Sequence, residues 1–577
     1  MINERPQKGH PAGLYVLFAT EMWERFNYYG MRAILILFMT KALAFNDAFA
    51  SNLYGSYTGL VYLTPLIGGY VADRFWGNKR SIIVGGLIMA IGEFLLFFCG
   101  SLYDTSSSLS TLLFFSGLGF MIAGNGFFKP NISSLVGQLY PANDRRIDAA
   151  YTIFYMGINV GGALGPLVCG LVGDTGDPRD FKWAFLVAGI GMLLSVIVQK
   201  LYQDKYVRTH DGKPLGEAPA NTSAKWSNPV YVVAGLLLFA ALSIGLLYVD
   251  ANVFSFLSYL LIASVIFIAV VLFSDKTLTR PEKERVAVIF IVAFFVIFFW
   301  SAFEQAGASL TLFADRQTDR SLSWDLNKNI VYILSAAVLA GLIWLWKKAS
   351  RAFAKNDRSL LNGIATVIAL LIGGLVYSNF ELARSAGSTI VMDEVPASLF
   401  QSLNSIFVIV FAPIFAWLWL KMGKREPSAP TKMAIGLLLL SLGYVWIAFG
   451  VKDVSSTAKV SMIWLTGMYA LHTWGELCLS PIGLSLVNKL SPLKFASLLM
   501  AVWFLANAFA NKLAGVLSAL YPDGKTTYFL GFEMNTMYDF FMLFVFMAGT
   551  ASLILFLLTK KLQQMMHNRD NKTPTDV

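Results

Sequence analysis

Long apolar stretches separated by short polar turns follow one another along almost the whole chain. A helix needs roughly 20 apolar residues to cross a bilayer, and sixteen stretches are candidates for such helices. They cover residues 13–42, 53–72, 81–101, 109–137, 149–173, 183–202, 229–249, 252–274, 285–313, 328–347, 359–380, 397–421, 432–451, 460–489, 496–520 and 538–560. We therefore predict an all-α polytopic membrane protein. An even number of spans places both chain ends on the same side.

The composition excludes a soluble protein. Of the 577 residues, 56% are hydrophobic and 14% are charged, and the mean hydropathy is +0.60. Typical soluble domains carry about 25% charged residues. The net charge of +10 comes from basic residues at helix ends, with no separate basic tract. We therefore expect the lipid bilayer, and no nucleic acid, as a partner.

Motifs for metal, nucleotide or thiol chemistry are missing from the sequence. Cys99, Cys169 and Cys478 each lie inside an apolar stretch, so neither a disulfide framework nor a CxxC site is expected. His472 precedes Glu476 by one helical turn, but no third metal ligand follows at helical spacing. P-loop, strand-linked GxGxxG and HExxH motifs do not occur. We predict no metal, no cofactor other than a coupling proton, and no enzyme activity.

Basic residues are distributed unequally between the two sides of the predicted membrane. Threading the chain through sixteen spans places roughly 31 Lys and Arg on the side of the N-terminus and roughly 10 on the other. The positive-inside rule then predicts cytoplasmic N- and C-termini. The polar residues 1–13 contain no short apolar stretch with a cleavage site, so the first span is expected to be retained. Short loops on the opposite side fit a bacterial inner membrane.

The first span carries charged residues where charge is costly. Each ionisable residue at a helix centre costs about 2.5–3.5 kcal/mol on insertion scales. The polar positions are spaced i, i+3, i+4, i+7 and i+11, which places them along one stripe of an α-helix; they are Glu21, Glu24, Arg25, Tyr28 and Arg32. We predict that this stripe faces an interior path and not lipid.

Further polar stripes occur in later spans. They comprise Asn125, Lys129 and Ser133; Tyr151, Tyr155 and Asn159; Trp300 and Glu304; Glu476 and Ser480; and Trp503 and Asn507. The cations lie mostly in the first half of the chain and the carboxylates in the second. A zwitterion bound between the cationic and the anionic residues would direct its carboxylate to Arg25 or Lys129 and its ammonium group to Glu476.

A purely structural interpretation applies to some of these charges. Lys129 with Glu21 or Glu24 could form a static buried ion pair that fixes helix register. Glu93 has no polar partner at helical spacing, and we interpret it as structural or interfacial. Lys512 is expected to extend along its helix toward the membrane surface.

The run EMWERFNYYG at residues 21–30 resembles the E-x-x-E-R-F-x-Y-Y-G motif of the proton-dependent oligopeptide transporter family. Four further runs agree with that family in order, namely residues 124–133, 154–159, 299–307 and 475–485. Residues 69–80, GYVADRFWGNKR, resemble the signature loop of the major facilitator superfamily. The resemblance covers essentially the whole chain apart from two insertions.

The resemblance implies a major facilitator fold of two six-helix bundles with extra helices. Residues 1–202 would form the N-terminal bundle, 203–283 a cytoplasmic linker with an extra transmembrane hairpin, and 284–577 the C-terminal bundle. A second hairpin at 328–380 is an insertion that we expect at the periphery. Ser405 stands where the family usually has proline, which puts the bending of that helix in doubt.

Roles for individual residues follow only from the resemblance. It implies that Arg25 and Lys129 hold a peptide carboxylate, Glu476 the amino group, and Asn159 with Asn404 the peptide backbone. The implied pocket also includes Tyr28, Tyr29, Trp300, Ser480 and Trp503. Glu21 and Glu24 are implied in proton coupling, and Glu304 in exchanging a proton against an ion pair with Arg32.

The function implied is import of di- and tripeptides by a proton-coupled symporter, acting as a monomer. Two alternatives stay open. The same fold could carry nitrate or a peptide-like drug, although an anion without an amino group has no use for Glu476. A peptide sensor that binds without transporting is the other.

Overall fold

The computed structural model describes residues 9–141, 144, 146–218, 229–252, 256–324, 328–381, 390–392, 394–455, 458–522, 524 and 526–567. The chain ends and residues 219–228 of the predicted cytoplasmic linker lie outside the described residues. Arg145, one of the basic residues used to orient the chain, also lies outside them.

Within this part of the chain, helices dominate. They are α1 (Ala12–Leu37), α2 (Asp47–Leu63), α3 (Pro65–Val71), α4 (Asn78–Leu102), α5 (Ser107–Gln138), α6 (Ile147–Gly173), α7 (Phe181–Tyr206), α8 (Pro229–Asn252), α9 (Phe256–Ser274), α10 (Arg280–Phe303), α11 (Ser309–Arg316), α12 (Lys328–Ser350), α13 (Lys355–Glu381), α14 (Gln401–Met422), α15 (Ala429–Val451), α16 (Met462–Leu490), α17 (Ala496–Ser518) and α18 (Met537–Met565). Apart from the short α3 and α11, each corresponds to one predicted apolar stretch. The all-α prediction is therefore confirmed.

Ten helical stretches in the described residues are long and apolar enough to cross a membrane. Helix α1 is not among them, because its central stretch carries the charged residues Glu21, Glu24 and Arg25 of the polar stripe. The charged stripe is thus what separates α1 from an ordinary lipid-facing span.

Helix contacts define two groups, which we call the first half (α1–α7) and the second half (α10, α11 and α14–α18). In the first half, α1 packs against α6 and α7, and α4 against α5 and α7. In the second half, α15 packs against α16 and α18, and α10 against α17. The halves meet where α2 contacts α17 and where α6 contacts α14. The domain boundaries drawn from the sequence stay predictions.

Strands in the described residues are short and confined to loops. β1 (Thr318–Asp319) pairs in parallel with β4 (Val460–Ser461), and β2 (Leu322–Trp324) pairs antiparallel with β3 (Ile390–Met392). β5 (Thr527–Phe529) and β6 (Phe532–Met534) form a third, antiparallel pair. They connect helix ends, and Val460 of β4 and Met534 of β6 add buried side chains to the hydrophobic core.

The inserted hairpin, α12 with α13, lies at the edge of the molecule. Leu345 and Leu370 are exposed on it, and the turn between its two helices is tied to α7. The Asp357 carboxylate there pairs with Lys205 and accepts a hydrogen bond from the Tyr206 hydroxyl. In this solvent-facing turn, those two contacts hold the pKa of Asp357 below its usual value.

The seam between α2 and α17 depends on paired glycines. A Cβ atom placed on Gly515 would lie 2.6 Å from the Gly55 Cα and 2.5 Å from the Ser51 carbonyl oxygen. Both neighbours are backbone atoms, which cannot rotate away. The helices can therefore approach this closely only because neither position carries a side chain.

We expect Gly515→Val to destabilise the protein by about 1–3 kcal/mol, because overpacking forces the backbones apart. Thermal unfolding in detergent should show a lower midpoint. Gly373→Val in α13 is the matched control, since no atom lies within 4 Å of a Cβ placed there. Equal shifts for the two variants would contradict the close-packed seam.

Candidate functional site

The polar stripe of α1 begins with a buried cluster of two carboxylates and one guanidinium. The Arg25 Nε lies 3.1 Å from Glu21 Oε1 and 2.5 Å from Glu24 Oε2, and all three side chains are almost fully buried. Asn125 of α5 donates a hydrogen bond of 3.2 Å to Glu24 Oε1. The prediction that this stripe faces the interior is confirmed, because lipid-facing charges would be exposed at the protein surface.

Several buried polar atoms of this cluster have no hydrogen-bond partner among the described residues. They include Arg25 Nη2 and Glu21 Oε2. Arg25 Nε contacts both carboxylates as an ion pair, but not with hydrogen-bond geometry. A buried guanidinium with free donors can receive a further carboxylate oxygen.

Lys129 of α5 stands apart from this ion pair. Its Nζ lies 4.4 Å from the ring centre of Tyr62 of α2, a cation–π contact. Among the described residues it forms no ion pair within 4 Å, although Arg25 and Glu24 lie within its electrostatic reach. The static Lys129–carboxylate pair considered from the sequence is therefore wrong.

Two tyrosines continue the stripe toward the other end of α1. The Arg25 guanidinium carbon lies 5.5 Å from the ring centre of Tyr28 and 5.9 Å from that of Tyr29. The Arg32 guanidinium lies 5.7 Å from the same Tyr29 ring. Tyr29 thus contacts the cations of both clusters on α1.

Arg32 makes the principal charged contact between the two halves. Its Nη2 pairs with Glu304 Oε2, and its Nε donates to the Tyr54 hydroxyl at 2.5 Å. The turn that positions Glu304 contains Gly307, where any side chain would clash with Tyr54. A Cβ on Gly307 would lie 1.7 Å from the Tyr54 hydroxyl oxygen and 3.0 Å from Arg32 Nε.

Further contacts link the halves on the same side of the molecule. The Arg316 guanidinium binds the Asp47 carboxylate at 2.5 and 2.9 Å, and Lys41 Nζ lies 2.6 Å from Asp315. Asp174 accepts two hydrogen bonds of 3.0 Å from Ser398, one from its backbone and one from its hydroxyl. This end of the seam, the side opposite the predicted cytoplasmic loops, is closed.

The second half contributes a carboxylate held by amide and hydroxyl groups. Asn404 Nδ2 donates to Glu476 Oε2 at 2.8 Å, and the Thr473 hydroxyl lies 3.1 Å from the same nitrogen. Tyr155 of α6 lies close to Glu476 from the opposite half. Asn159, one turn further along α6, donates a 3.0 Å hydrogen bond from its side-chain amide to the Tyr155 backbone carbonyl.

Aromatic side chains are placed at the predicted pocket positions of the second half. Trp300 packs edge-on against Phe299 and Phe303, with ring centres 5.2 and 5.1 Å apart. Trp503 of α17 is buried against Gly483 of α16, where a Cβ would lie 2.1 Å from the indole.

Ser480 is partly exposed on α16, one turn beyond Glu476. Ser405, which stands where the family usually has proline, faces α6. A Cβ atom placed on Gly162 of α6 would lie 2.5 Å from the Ser405 hydroxyl oxygen. Helix α14 continues unbroken through it to Met422.

The predicted residues therefore form three neighbouring clusters, centred on Arg25, on the Arg32–Glu304 pair and on Glu476. Glu304 lies within electrostatic reach of both Lys129 and Glu476. Sequence reasoning missed Tyr54 and Tyr62, which hold the two cations. Their spacing of eight residues on α2, with Thr58 between, is a polar stripe that could have revealed them.

Two isolated charges are placed by the structure. Lys512 does not extend to the membrane surface, because its side chain is fully buried and pairs with Asp250. Of the two interpretations of Glu93 the structural one fits and the interfacial one is wrong, since Glu93 is fully buried and accepts a 2.9 Å hydrogen bond from Asn27. In both cases the partner lies on another helix, where spacing along one helix cannot reveal it.

A family model described as POT family matches residues 79–339 and 383–538. This chain belongs to the POT family. An uncharacterised transporter, YclF, of Bacillus subtilis is 32% identical over 92% of this chain and 93% of its own length. The peptide transporter YePEPT of Yersinia enterocolitica is 31% identical, covering 88% of each chain.

Solved structures agree with this POT-family assignment. The crystal structure of a mutant peptide transporter POT with alafosfalin matches at a TM-score of 0.71 and 28% identity, over 98% of both chains. The resemblance to the proton-dependent oligopeptide transporters and the major facilitator fold are thereby confirmed. The protein is a multi-pass membrane protein.

Glu93 tests the packing of the first half independently of any substrate. We expect Glu93→Gln to keep the hydrogen bond with Asn27, whereas Glu93→Leu leaves the Asn27 amide buried with one partner fewer. The second variant should lose about 1–3 kcal/mol of stability, the desolvation cost of an unsatisfied group. Thermal unfolding in detergent measures both, and equal loss in the glutamine variant would contradict this role.

Proposed function

We propose that this POT-family protein is a proton-coupled symporter that imports di- and tripeptides across the bacterial inner membrane, with both termini in the cytoplasm. The transporters of Yersinia enterocolitica and Lactococcus lactis that it resembles are named for peptides and for di- and tripeptides. Their identity, 31% and 28% over most of the chain, supports a shared cargo class.

The observation that carries this proposal is the placement of opposite charges on opposite halves. Arg25, with unpartnered donors, and Lys129 belong to the first half, whereas Glu476 belongs to the second. A short peptide carries a carboxylate at one end and an ammonium group at the other, so it can bridge these walls. Nitrate would leave Glu476 without a cationic partner, which disfavours the anion alternative.

Proton coupling is proposed to act through the Arg32–Glu304 pair. Protonating Glu304 removes its negative charge and with it the Coulomb attraction to Arg32, so the closed side can open. Peptide carboxylate binding at Arg25 would in turn compete with Glu21 or Glu24 for the guanidinium. The halves then rock about the binding site, as alternating access requires.

The energy available is modest but sufficient. One proton moving through 100 mV releases about 2.3 kcal/mol, which corresponds to roughly fifty-fold accumulation. The pairs that close one side, together with the 37% exposure of Tyr155 although it lies close to Glu476 of the other half, support an inward-facing arrangement. We propose that the protein works as a monomer, since both walls of the site lie in one chain.

We predict that Glu304→Gln abolishes uphill uptake of dialanine into proteoliposomes with an inward proton gradient. Accumulation should fall from as much as roughly fifty-fold to no more than equal concentrations, because the side chain can no longer exchange a proton. Exchange of labelled against unlabelled peptide should persist. The control is Glu426→Gln, whose carboxylate pairs with Lys432 within the second half. Gradient-driven uptake by the Glu304 variant would remove Glu304 from the coupling scheme.

A second experiment tests the ends of the peptide. Dialanine should compete for uptake, whereas N-acetyl-dialanine should compete at least about tenfold more weakly, because a charged hydrogen bond to Glu476 is lost. Glu476→Gln should weaken binding of dialanine and abolish the difference between the two compounds. A wild-type protein that binds both equally would exclude Glu476 as the amino-group site. Binding without any counterflow would favour a sensor.

A further inference from the structure

The hairpin formed by α8 and α9 straddles the seam between the two halves. Its first leg, α8, packs against α5 and α2 of the first half. A Cβ on Gly119 of α5 would lie 2.2 Å from Ile244, and the Tyr248 ring contacts Phe115. Its second leg, α9, packs against α17 of the second half. The two legs are therefore attached to different halves.

A buried ion pair lies at the bend of this hairpin. Lys512 Nζ of α17 lies 2.7 Å from Asp250 Oδ2 at the end of α8, and the two side chains are 0% and 1% exposed. Ser56 of α2 completes the cluster, since its hydroxyl accepts from Lys512 Nζ at 2.8 Å and bonds to Asp250. Asp250 Oδ1 accepts the Leu257 backbone N–H at 2.8 Å. Asp250 and Ser56 both bind the Lys512 ammonium from outside the second half.

Burial makes this cluster sensitive to separation. A buried charge that loses its counter-charge is strongly unfavourable unless water reaches it. The cluster lies beside the Gly55–Gly515 approach, and one turn earlier in α2 the Ser51 and Ser518 hydroxyls are 3.0 Å apart. It therefore lies on the closed side of the seam, together with the Arg32–Glu304 pair.

We propose that Lys512, Asp250 and Ser56 form a second charged latch that holds this side closed, and that the α8–α9 hairpin is a working part of the transport cycle. The inference rests on the alternating access proposed above. When the closed side opens, α17 moves away from α2 and α8. Lys512 then loses both Asp250 and Ser56.

The latch is tested by measuring distances between spin labels on the two halves in the full-length protein in liposomes. Labels at Thr105, in the turn between α4 and α5, and at Lys459, before α16, report the separation on the closed side. We expect Lys512→Met and Asp250→Asn to raise the population of long distances by about tenfold or more, because each breaks a buried charge pair that holds the closed side. The double variant should shift the distances less than either single variant.

The matched control is the double variant Lys494→Gln with Asp275→Asn. The Lys494 Nζ lies 2.7 Å from Asp275 Oδ2, so this pair also joins the hairpin to the region before α17. Lys494 is exposed, however, and Asp275 follows α9, the leg that packs on the second half. We expect no change in the distances. A shift equal to that of the latch variants would overturn the proposal.

Ser56→Ala keeps the Lys512–Asp250 ion pair and removes only the hydrogen bonds of the Ser56 hydroxyl. It therefore still tests the latch if the charge variants fail to fold. It should raise the long-distance population by a smaller factor than Asp250→Asn. Unchanged distances in folded latch variants, even with lowered melting temperatures, would reduce the cluster to a structural role and overturn the proposal. The distances are measured without peptide, so failure of the latch and failure of the proposed transport are separable.

Discussion

The cost of placing charge inside the membrane governs the arrangement of this protein. Isolated ions are costly in hydrocarbon, and two of the buried cations are held by carboxylates on other helices. Arg32 reaches Glu304 and Lys512 reaches Asp250, in each case from one half or leg to another. Pairing of this kind does not merely add stability. It makes the contact between the halves depend on charges, so a change of charge changes which contact is favourable.

The distribution of these pairs explains why binding and opening can be coupled. The Arg25 cluster, the Arg32–Glu304 pair and Glu476 are neighbours, and Tyr29 contacts both arginines. A ligand that alters the partners of Arg25 therefore acts close to the pair that closes one side. Gly55 and Gly515 allow the backbones of α2 and α17 to come into contact. Whether this seam stays closed then depends on the ion pairs between side chains.

Much of this could be predicted from the sequence, because the spacing of polar residues along a single helix indicates which face of the span avoids lipid. The stripe from Glu21 to Arg32 predicted an interior face, and its residues are buried as expected. The sixteen apolar stretches gave the long helices. What periodicity cannot record is a partner on another helix. Lys512 and Asp250 are 262 residues apart in the sequence, and Asp250 lies at the very end of its span, where a charge is unremarkable.

The central claim is that peptide and proton cross together through one chamber of exchangeable ion pairs. It is tested most directly by trapping a pH-sensitive dye inside proteoliposomes of the wild-type protein, held at equal pH on both sides with the interior negative. Adding dialanine outside should acidify the lumen as labelled peptide enters, and N-acetyl-dialanine should do neither. Entry of dialanine with no acidification of the lumen would contradict the account.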